Sequence, residues 1–230
     1  MSMTESTNSK HDHKIMETFK DIIPLSFGEE IGNSVSHGFA ALITLCILPY
    51  AAVRSYLHGD ALLSFSVSVF VISIFFMFIA STVYHAMANQ SSHKYIMRII
   101  DHSMIYIAIT GTYTPICLSL VGGWLGWTAM IILWGITLWG ILYKSLAKKV
   151  NHKLSLAMYL VMGWVGVLFV PVIIMKTSVI FMLFILLGGL AYTGGAWFYA
   201  QKNRPYFHMI WHIFIVIAAA FHFIGIVYFM

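Results

Sequence analysis

The sequence predicts an all-α membrane protein, a bundle of seven transmembrane helices with its N-terminus in the cytoplasm and its C-terminus outside. Three observations predict it. Of 230 residues, 60% are hydrophobic and only 9% are Asp, Glu, Lys or Arg, whereas soluble domains carry roughly 45–50% apolar and about 25% charged residues. Seven stretches, at 31–53, 61–84, 99–121, 123–143, 154–175, 177–200 and 206–230, hold at most one such charged residue each. Each is long enough to cross about 30 Å of hydrocarbon at about 1.5 Å per residue. The basic residues are also one-sided. Lys10, Lys14, Lys20, Lys94, Arg98, Lys144, Lys148, Lys149, Lys153, Lys202 and Arg204 fall on the N-terminal side of the crossings, and only Arg54 and Lys176 fall on the other. An excess of Lys and Arg marks the cytoplasmic face.

Along the chain, residues 1–14 are polar, carry no apolar run and are expected to be a disordered tail without a secretory signal. Residues 15–27 (IMETFKDIIPLSF) mix apolar and charged positions, which suits a short amphipathic segment at the interface, interrupted by Pro24. Residues 28–230 form the seven-helix domain. Short connectors join its helices, leaving no room for a soluble domain. Gly122 and Gly126 fit a small-residue helix contact. Cys46 and Cys117 lie inside apolar runs, too few for a disulfide framework, and are read as core packing residues. The net charge of +5 comes from scattered loop residues, so nucleic acid is not an expected partner. The sequence carries no signal for an oligomeric state.

Polar and ionisable residues inside spans are costly in lipid and are functional candidates by default. Here they cluster by depth. Glu29, Glu30, Asn33 and His37 stand at the start of the first helix, Ser81 and His85 at the end of the second, Asp101 and His102 at the start of the third, and His208 and His212 at the start of the seventh. All lie within about 10 Å of the predicted cytoplasmic face. His208 and His212 are four apart, which puts both imidazoles on one helix face with Cβ atoms about 5–6 Å apart. His85 can supply a third imidazole. Three neutral histidines around zinc leave a fourth position open, as in catalytic sites. Asp101 can orient or deprotonate a water there. Ser81 is a candidate partner of the same site, or else bonds the carbonyl one turn back. His102 points about 100° away from Asp101 and is a reserve ligand. His222 is ten residues past His212, about 15 Å along the axis, and is read as an interhelical hydrogen-bond partner.

The blocks EEIGNSVSHG (29–38), STVYH (81–85), DHSMIYIAITGTYTP from Asp101, and HMIWH (208–212) resemble the signature blocks of the bacterial hemolysin III proteins, within the progestin and adipoQ receptor superfamily. The similarity covers roughly residues 27–229 in the right order. It implies seven helices with a cytoplasmic N-terminus, zinc held by His85, His208 and His212, and a water-bridging acid at Asp101. It also implies a place in the bacterial inner membrane and a link to presumed membrane hydrolases that include alkaline ceramidases. Glu30, Asn33 and His37, in the first block, are expected to support the site.

The function expected from these readings is zinc-dependent hydrolysis of a lipid amide or ester, with a membrane lipid as substrate or ligand and a role in membrane-lipid homeostasis. A receptor-like sensor with a structural zinc is the alternative. A pore-forming hemolysin fits less well, because the spans lack the charged lining of a water-filled conduit.

Overall fold

The structure, a computed structural model, describes residues 25–89, 91–147, 150–201 and 203–230. The tail expected at 1–14, and residues 15–24 of the expected interfacial segment, lie outside the described residues. The described residues contain seven helices long and apolar enough to cross a membrane: α1 (Phe27–His58), α2 (Ala61–Ala86), α3 (Ser92–Val121), α4 (Gly123–Leu146), α5 (His152–Lys176), α6 (Val179–Ala200) and α7 (Phe207–Phe229). No strand occurs among them.

The ends of these helices are set by caps that the apolar stretches do not reveal. The α1 helix begins at Phe27 because Ser26 and Glu29 close a reciprocal capping box: Ser26 Oγ accepts from the Glu29 amide at 3.3 Å, and Glu29 Oε2 accepts from the Ser26 amide at 3.0 Å. Asp60 caps α2 through the Leu63 amide at 2.8 Å, and Ser91 caps α3 through the Lys94 amide at 3.1 Å. After Pro115 the α3 helix widens into a π-helical stretch, Ile116–Val121. Gly122 then takes φ 66° and Gly123 φ 55° to turn the chain into α4, a conformation glycine adopts without strain. Gly126 does the rest: a Cβ there would collide with the Cys117 carbonyl oxygen. The glycine pair thus serves the α3–α4 turn and its close approach.

The α5 helix is interrupted by a 3-10 stretch, Val165–Phe169, just before Pro171. Proline has no N–H to offer the Val167 carbonyl. Tyr113 from α3 serves the break, its hydroxyl accepting from the Gly166 amide at 2.8 Å and donating to the Gly163 carbonyl at 2.6 Å.

The α3 helix is the most enclosed, with 72% of its apolar window buried against 17% for α5. Helix α2 packs along both α1 and α3, α7 packs along α6, and α1 closes against α7. One end of the bundle therefore gathers the start of α1, the end of α2 and the starts of α3 and α7. Cys117 is buried in this core, but Cys46 is exposed on the outer face of α1 beside Leu42 and Leu45. The expectation of two core cysteines is corrected for Cys46. Lipid is as apolar as a protein interior, so an apolar run alone does not tell a buried position from a lipid-facing one.

Candidate metal centre

His85 lies in the last turn of α2 and His208 in the first turn of α7, with His212 one turn further on. One ligand-capable atom from each of the three lies within 4.8 Å of the other two, with His85 and His212 buried and His208 half-buried. The ring centroids are 5.2 Å apart for His85 and His208, 4.9 Å for His85 and His212, and 4.8 Å for His208 and His212. Shared depth, legible in the sequence, is joined here by lateral convergence.

Helix α1 supplies the groups that orient these rings. His85 Nδ1 donates to Glu30 Oε2 at 2.6 Å, with the Asn33 side chain 3.5 Å from the same nitrogen. The His212 ring lies near the Asn33 backbone. Glu29 Oε1 accepts from the Tyr206 amide at 2.6 Å, immediately before α7, where Tyr206 takes φ 62°. Left-handed backbone costs a non-glycine residue about 1–2 kcal/mol, and the Glu29 contact helps offset it. His85 is thus tied at one face. His85 Nε2 and His212 Nδ1 are buried with no hydrogen-bond partner among the described residues. Buried polar atoms are normally paired, so these two mark where a ligand belongs.

Asp101 is buried close to Ser81, within electrostatic reach of His85. It is not among the three converging ligands. His102 Nδ1 donates to the Arg98 carbonyl at 2.7 Å, and its Nε2 lies 3.4 Å from the Tyr199 hydroxyl. It is knit into α3 and α6 and is not one of the three converging ligands, though its Nδ1 lies 3.6 Å from Asp101 Oδ2. His37 stacks on His212 at 3.8 Å between ring centroids, 11° from parallel, with both its ring nitrogens buried and unpartnered among the described residues. His222 Nε2 donates to the Ile185 carbonyl of α6 at 3.2 Å.

Residues that the sequence did not single out also reach the site. Lys94, counted there as a loop cation, is 4% exposed, and its Nζ donates to Glu30 Oε1 at 2.7 Å. Only its position in the first turn of α3, one turn before Arg98, could have hinted that it points inward. Tyr199 packs on Trp211 at 4.5 Å and faces His208 at 6.0 Å between ring centroids.

A family profile described as Haemolysin-III related matches residues 25–223. The chain belongs to the haemolysin III family. It is 34% identical to the Hemolysin-3 homolog of Bacillus subtilis (strain 168), over 87% of this chain and 94% of that one. It is 31% identical to Hemolysin-3 of Bacillus cereus, over 88% and 92%. The human Monocyte to macrophage differentiation factor, of the progestin and adipoQ receptor superfamily, is 27% identical over 86% and 83%. No solved structure matches the chain. This haemolysin III protein is a multi-pass integral membrane protein, and its His85, His208 and His212 form a group able to hold a metal ion.

All-imidazole donors suit borderline transition-metal ions such as zinc, copper, iron and nickel, whereas thiolate-rich or purely oxygen sites suit others. Beside the triad, an apolar cavity of about 320 Å³ runs between α3, α5, α6 and α7, lined by residues such as Ile105, Ile109, Leu160, Ile185 and Ile215. Tyr199 and Trp211 line it too, and both rings face His208. The cavity and the triad share a wall.

Proposed function

We propose that this haemolysin III protein is a zinc-dependent hydrolase of an amide or ester bond in a membrane lipid, contributing to membrane-lipid homeostasis in the bacterial cytoplasmic (inner) membrane. The observation that carries it is the convergence of three histidines beside a Ser81–Asp101 pair at the wall of an apolar cavity. His85, His208 and His212 hold the ion. Zinc supplies polarisation of a carbonyl and a lowered pKa for a bound water. Asp101 accepts the proton of the attacking water at its carboxylate, and the Ser81 hydroxyl orients that carboxylate. Glu30, Asn33 and His37 support the ligands, and the cavity takes the acyl chain of the lipid.

Metal analysis of purified protein should find about one zinc per chain. Lipidomics of cells carrying His208→Ala should show accumulation of one lipid class relative to wild type. Protein purified at neutral pH, never exposed to a chelator and lacking stoichiometric metal, contradicts the proposal. The one-sided Lys and Arg count supports an N-terminus in the cytoplasm. A tag on Met230 should then be cleaved from outside intact spheroplasts, and a tag on Met1 should be protected. The reverse pattern overturns the orientation.

A second function, a sensor whose metal fastens α2 to α7, is favoured by the burial of His85 and His212. It predicts an Asp101→Asn variant with an unchanged cellular phenotype.

A further inference from the structure

Lys94 lies outside the ligand set, yet its contacts lead to it. It sits in the first turn of α3 with Nζ donating to Glu30 Oε1 at 2.7 Å and to the Met87 carbonyl at 3.0 Å. The ammonium also lies 5.2 Å from the centroid of the Tyr84 ring. A lysine near a membrane edge ordinarily extends its charge to water, and turning it inward is costly unless the charge is matched. Here it is matched by one carboxylate oxygen. The other oxygen of the same carboxylate, Oε2, takes the His85 Nδ1 proton at 2.6 Å. Both oxygens of Glu30 are therefore committed, and the line Lys94, Glu30, His85 runs from α3 through α1 to α2. The Met87 carbonyl, just beyond the end of α2, fastens the same ammonium to the segment that carries His85.

We propose that Lys94 is a positioning residue of the metal centre: by holding Glu30 Oε1 it fixes Oε2 on His85 Nδ1 and keeps His85 Nε2 turned toward His208 and His212. The inference rests on the proposal that these three histidines bind zinc. With Lys94 removed, the Glu30 carboxylate loses its counter-charge and swings toward solvent, and the His85 ring loses its fixed orientation. Partners that orient metal-binding imidazoles typically contribute about 10–100-fold in affinity.

Zinc affinity of the full-length protein in detergent, measured by competition with a chromophoric chelator, tests this. Lys94→Met should bind zinc about 10–100-fold more weakly, and Lys94→Arg, which keeps the charge and a donor, should recover most of the loss. Glu30→Gln should lose a similar amount. If Lys94 acts through Glu30, the double variant Glu30→Gln/Lys94→Met should match Glu30→Gln alone within about threefold. The melting temperature of the chelator-treated, metal-free proteins should differ little between Lys94→Met and Lys94→Arg. Wild-type-like affinity in Lys94→Met overturns the proposal, as does a double variant that shows the product of the two single losses. Should Lys94→Met fail to fold with Glu30 left unpaired, Lys94→Gln, which keeps a donor but no charge, takes its place: affinity several-fold below wild type supports the proposal, and wild-type-like affinity overturns it. His85→Ala separates the two levels. If His85→Ala keeps wild-type affinity, the metal centre itself is misassigned. If it releases zinc while Lys94→Met does not, only the role of Lys94 falls.

Discussion

At the end of the bundle where α1 begins, charged and polar side chains bind one another: Lys94 to Glu30, and Glu30 to His85. At the opposite end the charged side chains bind backbone. Arg54 Nε donates to the Val227 carbonyl at 3.1 Å while its guanidinium lies 4.6 Å from the Tyr228 ring centroid. Lys176 Nζ donates to the Leu120 and Val121 carbonyls, both at 3.0 Å. Carbonyls left over at a helix end need such donors, so the two cations of the second end are matched by backbone, and among the described residues there the buried polar atom without a partner is a hydroxyl, Ser119 Oγ. At the first end the atoms without partners among the described residues include imidazole nitrogens, His85 Nε2 and His212 Nδ1. The two ends thus differ in what they leave open: only the first offers converging imidazole nitrogens, and that open end is where a ligand is expected.

The largest effect expected from this difference is on metal. His212→Ala should reduce zinc from about one per chain to a small fraction and lower the melting temperature in detergent, with added zinc no longer raising it, since an ion bound by the folded state alone stabilises that state. Stoichiometric zinc in His212→Ala would remove the distinction between the ends. Asp101→Asn should behave otherwise, keeping zinc because the three imidazoles remain, while any hydrolysis falls about 10²-fold or more. Loss of zinc in Asp101→Asn as complete as in His212→Ala would make the aspartate a ligand and leave no open position for a substrate.

Much of the open end was legible in the sequence, and the closed end was not, for one physical reason. A histidine or carboxylate within an apolar span is conspicuous, and the positions of His85, Asp101, His208 and His212 relative to the span ends fix their depth. What spacing cannot give is which neighbour each side chain meets. Lys94 reads as a loop cation and Glu29 as one of the polar residues opening the first helix, yet Lys94 binds the carboxylate behind His85 and Glu29 binds the Tyr206 amide ahead of α7. The inward turn of Lys94 depends on contacts across helices, to which periodicity is blind. Cys46 shows the converse. Its run is apolar whether it faces lipid or protein, so only packing placed it outside.

The smallest effect is expected at the closed end, where the comparison makes its most exacting claim: polar groups there should matter to stability and to nothing else. Arg54→Met removes a guanidinium bonded to one carbonyl and stacked on one ring, contacts that contribute about 1–2 kcal/mol together. Lys176→Met frees two carbonyls at the end of α3, and hydrogen bonds in membrane proteins average about 0.6 kcal/mol each, so a loss of about 1 kcal/mol follows. Both variants should melt a few degrees lower in detergent with zinc stoichiometry and zinc affinity unchanged, because neither side chain touches α1, α2 or α7 at the triad. The sensitive measurement is affinity and not melting, since any destabilised variant melts earlier. If either variant weakened zinc binding beyond about threefold, more than independent sites allow, the two ends would be coupled through the length of α3 or α7, and the closed end would belong to the site.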